Sequence, residues 1–375
     1  MVVMVKRLIC TLLLLASFGA AAACDWPQWQ QFKQHYISDG GRVIDPSSPR
    51  QITTSEGQSY GLFFALVAND RETFDRLLTW TENNLAAGDL TARLPAWLWG
   101  QHPQRHWGVL DPNSASDADL WIAYSLLEAG RLWDVRHYQT MGTLLLQRIA
   151  KEEVVKIPGL GEMLMPGKIG FSDEGRWRLN PSYLPPQLLA RFASLSGPWK
   201  AMVKANQRLW LESAPHGFTP DWVVWQEGKG WQPDDVHPNV GSYDAIRTYL
   251  WAGLLSNNSP QKAALIQRFQ PMAEITEQRG LPPEKMDTST GKANGDGPVG
   301  FSAALLPFLA SSPAPFNKQT LSQQQKRVQD SPPGADAYYS AVLTLFGQGW
   351  AQQRYRFNRQ GELQPSWNSQ CATLK

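Results

Sequence analysis

The stretch Thr53-Thr54-Ser55-Glu56-Gly57-Gln58-Ser59-Tyr60-Gly61 runs without a break into the apolar residues Leu62, Phe63, Phe64, Leu66 and Val67. Threonine or serine ahead of such a run marks a helix N-terminus, because the hydroxyl accepts a hydrogen bond from a first-turn N–H that has no partner inside the helix. The helix is apolar almost all round, which predicts burial on every side. Glu56 then stands at the mouth of an interior helix, where an unpaired carboxylate is costly to desolvate. It either complements the helix dipole or is held in a cleft for chemistry.

The pattern recurs twice. Asn113-Ser114-Ala115-Ser116-Asp117-Ala118-Asp119 leads into an apolar run over 120–132, and Gly241-Ser242-Tyr243-Asp244-Ala245-Ile246-Arg247 leads into another over 249–255. Ser114 and Asp117 have the spacing of a capping box. Asp117 and Asp119 are about 200° apart around a helix, so one faces a cleft while the other caps or pairs. Asp244 and Arg247, three residues apart, are placed to pair, which keeps Asp244 ionised. Three buried helices thus each carry a first-turn carboxylate behind a hydroxyl cap, and a shared end would bring Glu56, Asp117 and Asp244 into one cleft.

Outward from these mouths, helical patterns are expected at 25–37, 71–85, 138–149, 186–195, 198–211, 261–277, 301–309 and 335–346. An aromatic loop, Leu94-Pro95-Ala96-Trp97-Leu98-Trp99-Gly100, and loops at 287–299 and 311–316 separate them, and Gln323-Gln324-Gln325 reads as polar loop. Few segments alternate, so strands are minor. Nearly all-apolar helices interleaved with amphipathic ones suit an inner and an outer ring: an all-α chain folded as an α/α barrel with a few short strands in its loops. No break marks a second domain, so residues 24–375 read as one catalytic domain.

The first 23 residues read as a signal peptide: Lys6-Arg7, an apolar core from Leu8 to Phe18, and Ala21-Ala22-Ala23 before Cys24. That core is shorter than the ~20 residues a membrane span needs, and no other stretch is long enough, so an exported, periplasmic or secreted protein without a transmembrane segment is expected. Cys24 and Cys371 remain at the two ends of the mature chain and are expected to pair in an oxidising compartment. The alternatives are two free thiols, or a lipidated Cys24 whose signal carries Ala21 where leucine is usual.

With Lys6 and Arg7 removed, 33 basic residues face 33 acidic ones, and no basic stripe invites nucleic acid or an anionic membrane. Seventeen tryptophans exceed what a core of this size requires and suit a groove whose rings stack on sugar faces. Convergent carboxylates in an aromatic groove point to glycoside hydrolysis, in which one acid protonates the leaving oxygen and one carboxylate activates water or attacks. The helix dipole favours ionised Glu56, so an acid role requires Asp117 or an apolar wall to raise its pKa. Asp117-Ala118-Asp119 lacks the His, Cys or Glu that would complete a metal site, and His102 and His106 sit in a Pro-containing loop, so no metal is expected.

Residues 115–133, Ala-Ser-Asp-Ala-Asp-Leu-Trp-Ile-Ala-Tyr-Ser-Leu-Leu-Glu-Ala-Gly-Arg-Leu-Trp, resemble the signature of glycoside hydrolase family 8 along their length. Thr54-Ser55-Glu56-Gly57, Ala96-Trp97-Leu98-Trp99, Asn180-Pro181-Ser182-Tyr183 and Ser242-Tyr243-Asp244-Ala245-Ile246-Arg247 resemble further blocks of that family, in its order. The resemblance implies an (α/α)6 barrel, inverting hydrolysis of β-1,4-glucan (cellulose) and no cofactor. It makes Glu56 the proton donor, Asp244 the base and Asp117 the holder of a distorted sugar, with Asp117 as base the alternative. Tyr183 and Arg247 would orient the water or its base, and Trp97, Trp99 and Tyr243 would stack on sugar. The likeness is strongest to members that accompany bacterial cellulose synthesis, which implies the synthase and export machinery as a partner.

Competing readings are the same fold acting on xylan or chitosan, a non-catalytic glucan-binding component of the secretion apparatus, and an α/α polysaccharide lyase. The balanced charge disfavours cationic chitosan and the basic cleft a lyase needs. A binding groove has no use for an acid/base pair.

Overall fold

Six helices are buried around nearly their whole circumference, and their arrangement sets the architecture. The computed structural model describes residues 25–313 and 317–368; the expected signal peptide and both Cys24 and Cys371 lie outside the described residues. Thirteen α-helices occur among them: α1 (Pro27–Tyr36), α2 (Ser55–Val67), α3 (Arg71–Leu85), α4 (Ser116–Leu132), α5 (Arg136–Glu152), α6 (Pro186–Phe192), α7 (Trp199–Glu212), α8 (Ala245–Leu254), α9 (Lys262–Arg268), α10 (Gln270–Arg279), α11 (Val299–Ser311), α12 (Asn317–Asp330) and α13 (Tyr338–Ala351).

The inner helices are α2, α4, α6, α8, α11 and α13. Each packs on the next, and Phe346 of α13 closes the ring against Phe63 and Phe64 of α2. Each inner helix also packs on an amphipathic outer one: α2 on α3, α4 on α5, α6 on α7, α8 on α9, α11 on α12, and α13 on α1. Helix α3 shows why the outer ring stays outside. It buries Phe74, Leu77, Leu78 and Leu85 along one stripe and gives its other side to solvent. The result is an (α/α)6 barrel, as expected.

The barrel axis is filled by aromatic rings. Trp121 packs edge-on to Tyr60 and Phe63 and lies 5.3 Å from Trp251 and 5.6 Å from Phe346, centroid to centroid. Tyr60, Trp121 and Trp251 each stand four residues after Glu56, Asp117 and Arg247, one helical turn below them on the same face. The three inner helices therefore present polar groups at their first turns over an aromatic floor.

Short antiparallel strands lead into the mouths. Thr53–Thr54 pairs with Leu98–Gln101, which pairs with Trp107–Asp111; Val240–Gly241 pairs with Pro283–Asp287, which pairs with Ala293–Asp296. The aromatic segment around Trp99 and the 287–299 segment, both expected as loops, thus carry strands. The expected helix at 261–277 is two helices, because Pro271 cannot supply the N–H that would join α9 to α10. Gln323-Gln324-Gln325 lies in α12, not in a loop. Gln324 is fully buried, accepting from Ser302 Oγ at 2.7 Å and donating to the Gly280 carbonyl at 3.1 Å, so a polar run conceals an inward-facing amide. Among the described residues no helix is long and apolar enough to cross a membrane.

Candidate active site

Helix α2 opens as its sequence predicts. Thr54 is the N-cap, in extended conformation, and its Oγ1 accepts from Gly57 N at 3.0 Å. The Ser55 N–H donates to the Trp97 carbonyl at 2.9 Å, which fixes Trp97 beside the turn that carries Glu56. Gly57 is needed for close approach, since a Cβ there would stand 2.6 Å from the Tyr338 hydroxyl.

The other two mouths are capped differently from the expectation. At α4 the N-cap is Ala115, with no side-chain cap bond. Ser114 Oγ instead donates to Glu153 at 2.5 Å and accepts from Lys168 N, while Asp117 Oδ1 accepts from the neighbouring Ala118 N–H at 2.8 Å. No capping box forms, because Ser114 is drawn outward to a buried carboxyl. At α8 the N-cap is Asp244 and its carboxylate makes no cap bond either. Asp221, more than twenty residues upstream, caps this mouth by accepting from Ser242 N and Ala245 N, each at 2.7 Å.

Arg247 draws the three carboxylates together. Its Nη2 donates to Asp244 Oδ1 at 2.9 Å and lies 4.0 Å from Asp117 Oδ2, and its Nη1 is 3.2 Å from Glu56 Oε2. The same guanidinium donates to Ser182 Oγ at 3.0 Å and to Tyr339 Oη at 3.1 Å, and only 5% of its side chain is exposed. A planar fork with several fixed donors suits this task where a single ammonium would not.

The carboxylates differ in environment. Glu56 and Asp244 keep about a quarter of their side-chain surface open, whereas Asp117 is buried. Burial, then the charge of Glu56, pushes the Asp117 carboxyl well above the usual carboxylate range; Arg247 pulls the other way, and a hydrogen bond joins the Asp117 and Glu56 carboxyls. Two carboxyls this close disfavour ionising together. Asp119 faces away, as the helical angle predicts. It lies fully buried against Glu153, and burial and that neighbour raise its pKa as well.

The expected sugar-contact residues are spread along the same face. Tyr183 is held near the carboxylates, where burial and the charges of Asp117 and Asp244 keep its hydroxyl protonated. Tyr243 is 42% exposed, donates to Glu284 at 2.9 Å, and receives the Tyr339 hydroxyl on its carbonyl at 2.6 Å. Trp97 is partly exposed at the α2 mouth. Trp99 is clad by Trp107, stacked at 5.4 Å, by Trp80 edge-on at 5.2 Å, and by the Arg42 guanidinium at 4.5 Å.

Sequence reading missed Ser182, Asp221, Trp222, Glu284 and Tyr339. Trp222 packs edge-on to Tyr183 at 5.7 Å, parallel to Phe171, with Arg178 4.0 Å above its ring. Ser182 stands inside a block already singled out for Tyr183, and Asp221 directly follows Pro220, so local signals existed. Nothing in their spacing pointed to the α8 mouth. Among the described residues no three His, Cys, Asp or Glu side chains form a metal-binding group, and His102 and His106 stack on each other in the hairpin loop after Leu98–Gln101.

The sequence pattern of glycosyl hydrolases family 8 matches residues 1–353. The endoglucanase of Escherichia coli (strain K12) is 58% identical over 364 residues, covering 97% of this chain and 97% of that protein. The crystal structure of endo-1,4-D-glucanase from Vibrio fischeri ES114 is similar with a TM-score of 0.88 at 50% identity, over 92% of this chain and 99% of that one. That of an endoglucanase from Komagataeibacter sucrofermentans gives 0.71 at 26% identity, over 87% and 97%. With its pattern matched nearly end to end, and carboxylates gathered at the mouths of three inner helices, this chain belongs to glycosyl hydrolases family 8.

Proposed function

We propose that the protein is an endo-1,4-β-glucanase that cleaves internal bonds of cellulose-like chains with inversion. Glu56 is the general acid and Asp244 the general base. The observation that carries this reading is the single guanidinium of Arg247 holding Glu56 at one end and Asp244 at the other. The guanidinium lies between the two carboxylates and keeps them from direct contact, which agrees with an inverting arrangement, whose acid and base stand roughly 6.5–9.5 Å apart. The relatives named as endoglucanases support the substrate class.

Asp244 is favoured over Asp117 as base because burial and the charge of Glu56 raise the Asp117 pKa, so Asp117 is less available in the ionised form that takes a proton from water. Asp244, by contrast, is part-exposed and paired with Arg247. Asp117 serves instead as the proton reserve of the acid. Its hydrogen bond to Glu56 offers one step by which the proton reaches Glu56 and then the leaving oxygen, and Asp117 is left anionic beside the positive charge that grows on the sugar. On the opposite side of the sugar Asp244 accepts a proton from the attacking water, while Tyr183 and Arg247 fix the position of that water or its base. Trp97, Trp99 and Tyr243 hold the glucan.

In the same reading the chain from residue 24 onward is one catalytic domain, exported to the periplasm or beyond once residues 1–23 are removed. There it trims glucan beside a cellulose synthase and export apparatus. The test is reducing-end release from a soluble cellulose derivative by wild type, Glu56→Gln and Asp244→Asn, with folding checked by circular dichroism. Activity in the wild type and its collapse in both variants is expected. A wild type that binds polymer but releases no ends would overturn the reading.

A further inference from the structure

An aspartate at a helix N-cap ordinarily turns its carboxylate back onto the first-turn N–H groups of its own helix. Asp244 holds that position in α8 and does not do so. Its backbone is helical (φ −81°, ψ −49°), its side chain makes no cap bond, and its Oδ1 goes to Arg247. The capping is supplied from another part of the chain. Asp221 Oδ1 accepts from Ser242 N and Ala245 N, its Oδ2 accepts from Ser242 Oγ at 2.5 Å, and its own N–H donates to the Val240 carbonyl at 2.7 Å. Asp221 is 8% exposed, so without it two N–H groups and a hydroxyl at the entrance of α8 would lose their acceptor away from bulk water. The acceptors left close to those N–H groups would then be the Ser242 hydroxyl and the Asp244 carboxylate itself.

We propose that Asp221 is a positioning residue for hydrolysis: by capping α8 in trans it releases the Asp244 carboxylate from its own helix and holds it toward Arg247 and the cleft. The inference rests on Asp244 being the base. It also accounts for the neighbouring residue, because Trp222 continues from Asp221 into the wall beside Tyr183. One buried segment thus sets both the base and part of the groove.

Four variants test this: Asp221→Ala, Asp221→Glu, Asp221→Asn and Asp244→Asn. Each is assayed for kcat and KM on a soluble cellulose derivative at a temperature where circular dichroism shows it folded. Asn keeps an oxygen for both N–H donors and turns its amide toward Ser242 Oγ, so its kcat should stay within a few-fold of wild type. Ala removes the acceptors and Glu displaces them by a methylene. Both should lose kcat, by about 10²-fold for Ala as expected for a misplaced reacting group, with KM little changed. A purely structural role would lower thermal stability without this split between Asn and Glu. Folded Ala or Glu variants with wild-type kcat, or an Asn variant as slow as Ala, would overturn the proposal while inactive Asp244→Asn left the base in place. An active Asp244→Asn would remove the base assignment and this inference with it.

Discussion

Asp117 and Glu56, on the first turns of α4 and α2, face the same Arg247 guanidinium at 4.0 and 3.2 Å, and burial followed by the charge of Glu56 pushes the Asp117 carboxyl well above the usual carboxylate range. An acid catalyst at a helix N-terminus faces a dipole that favours its ionised form. In the proposed mechanism the neighbour that can supply the proton is Asp117, whose buried carboxyl holds a proton more readily than an exposed one.

Asp117→Asn tests the proton reserve. Asparagine keeps the shape and a donor toward Glu56 but has no carboxyl proton to pass on. We expect kcat to fall about 10²–10⁴-fold, the usual worth of positioned acid–base catalysis, with KM within a few-fold. Steady-state kinetics on a soluble glucan checks it, and unchanged kcat would reduce Asp117 to packing.

Arg247→Lys separates charge from geometry. Lysine keeps the positive charge but cannot hold Glu56, Asp244, Ser182 and Tyr339 at once. Activity should drop about 10²-fold through misplacement of the acid and base. Thermal stability should fall modestly, because Glu56 and Asp244 are 23% and 29% exposed and solvent supplies part of what the fork gave. Parallel kinetics and thermal unfolding would show the two effects apart.

The carboxyl pair behind α4 predicts a pH dependence of stability. Burial pushes Glu153 from 4.5 up to about 8, against hydrogen bonds from Ser114 and Asp119; the Glu152 charge adds to the rise and Lys168 opposes it. An acid whose folded pKa lies above its unfolded one binds the proton more readily in the folded chain. Its contribution is therefore fully present below about pH 4.5 and lost as pH rises toward 8, by at most about 1.4 kcal/mol per pH unit. Glu153→Gln stays neutral throughout. Its stability relative to wild type should improve steadily between those pH values in denaturant titrations, and a constant difference would contradict the assignment.

Fold and site were legible to different degrees. The inner ring could be read because helices apolar on all sides have one place to go, and Glu56 because Thr54 caps its helix locally. Asp244 and Arg247 were readable as a pair three residues apart. Ser114 misled, since its spacing to Asp117 suits a capping box while its actual partner, Glu153, lies 39 residues away. Asp221, Tyr339 and Glu284 act on the α8 mouth from remote segments, and no local pattern encodes such a meeting. Gln324 misled in the opposite sense: a run of glutamines looks solvated, and only the packing of α12 on α11 shows one amide turned inward.

The most direct single measurement is the anomeric configuration of the first product, followed by proton NMR during hydrolysis of a cello-oligosaccharide before mutarotation. Water delivered by Asp244 to the face opposite the leaving group gives the α-anomer first, which is the predicted result. A β-anomer first would require a carboxylate to attack the sugar directly and would contradict the assignment of Glu56 and Asp244 as an acid and base held apart by Arg247.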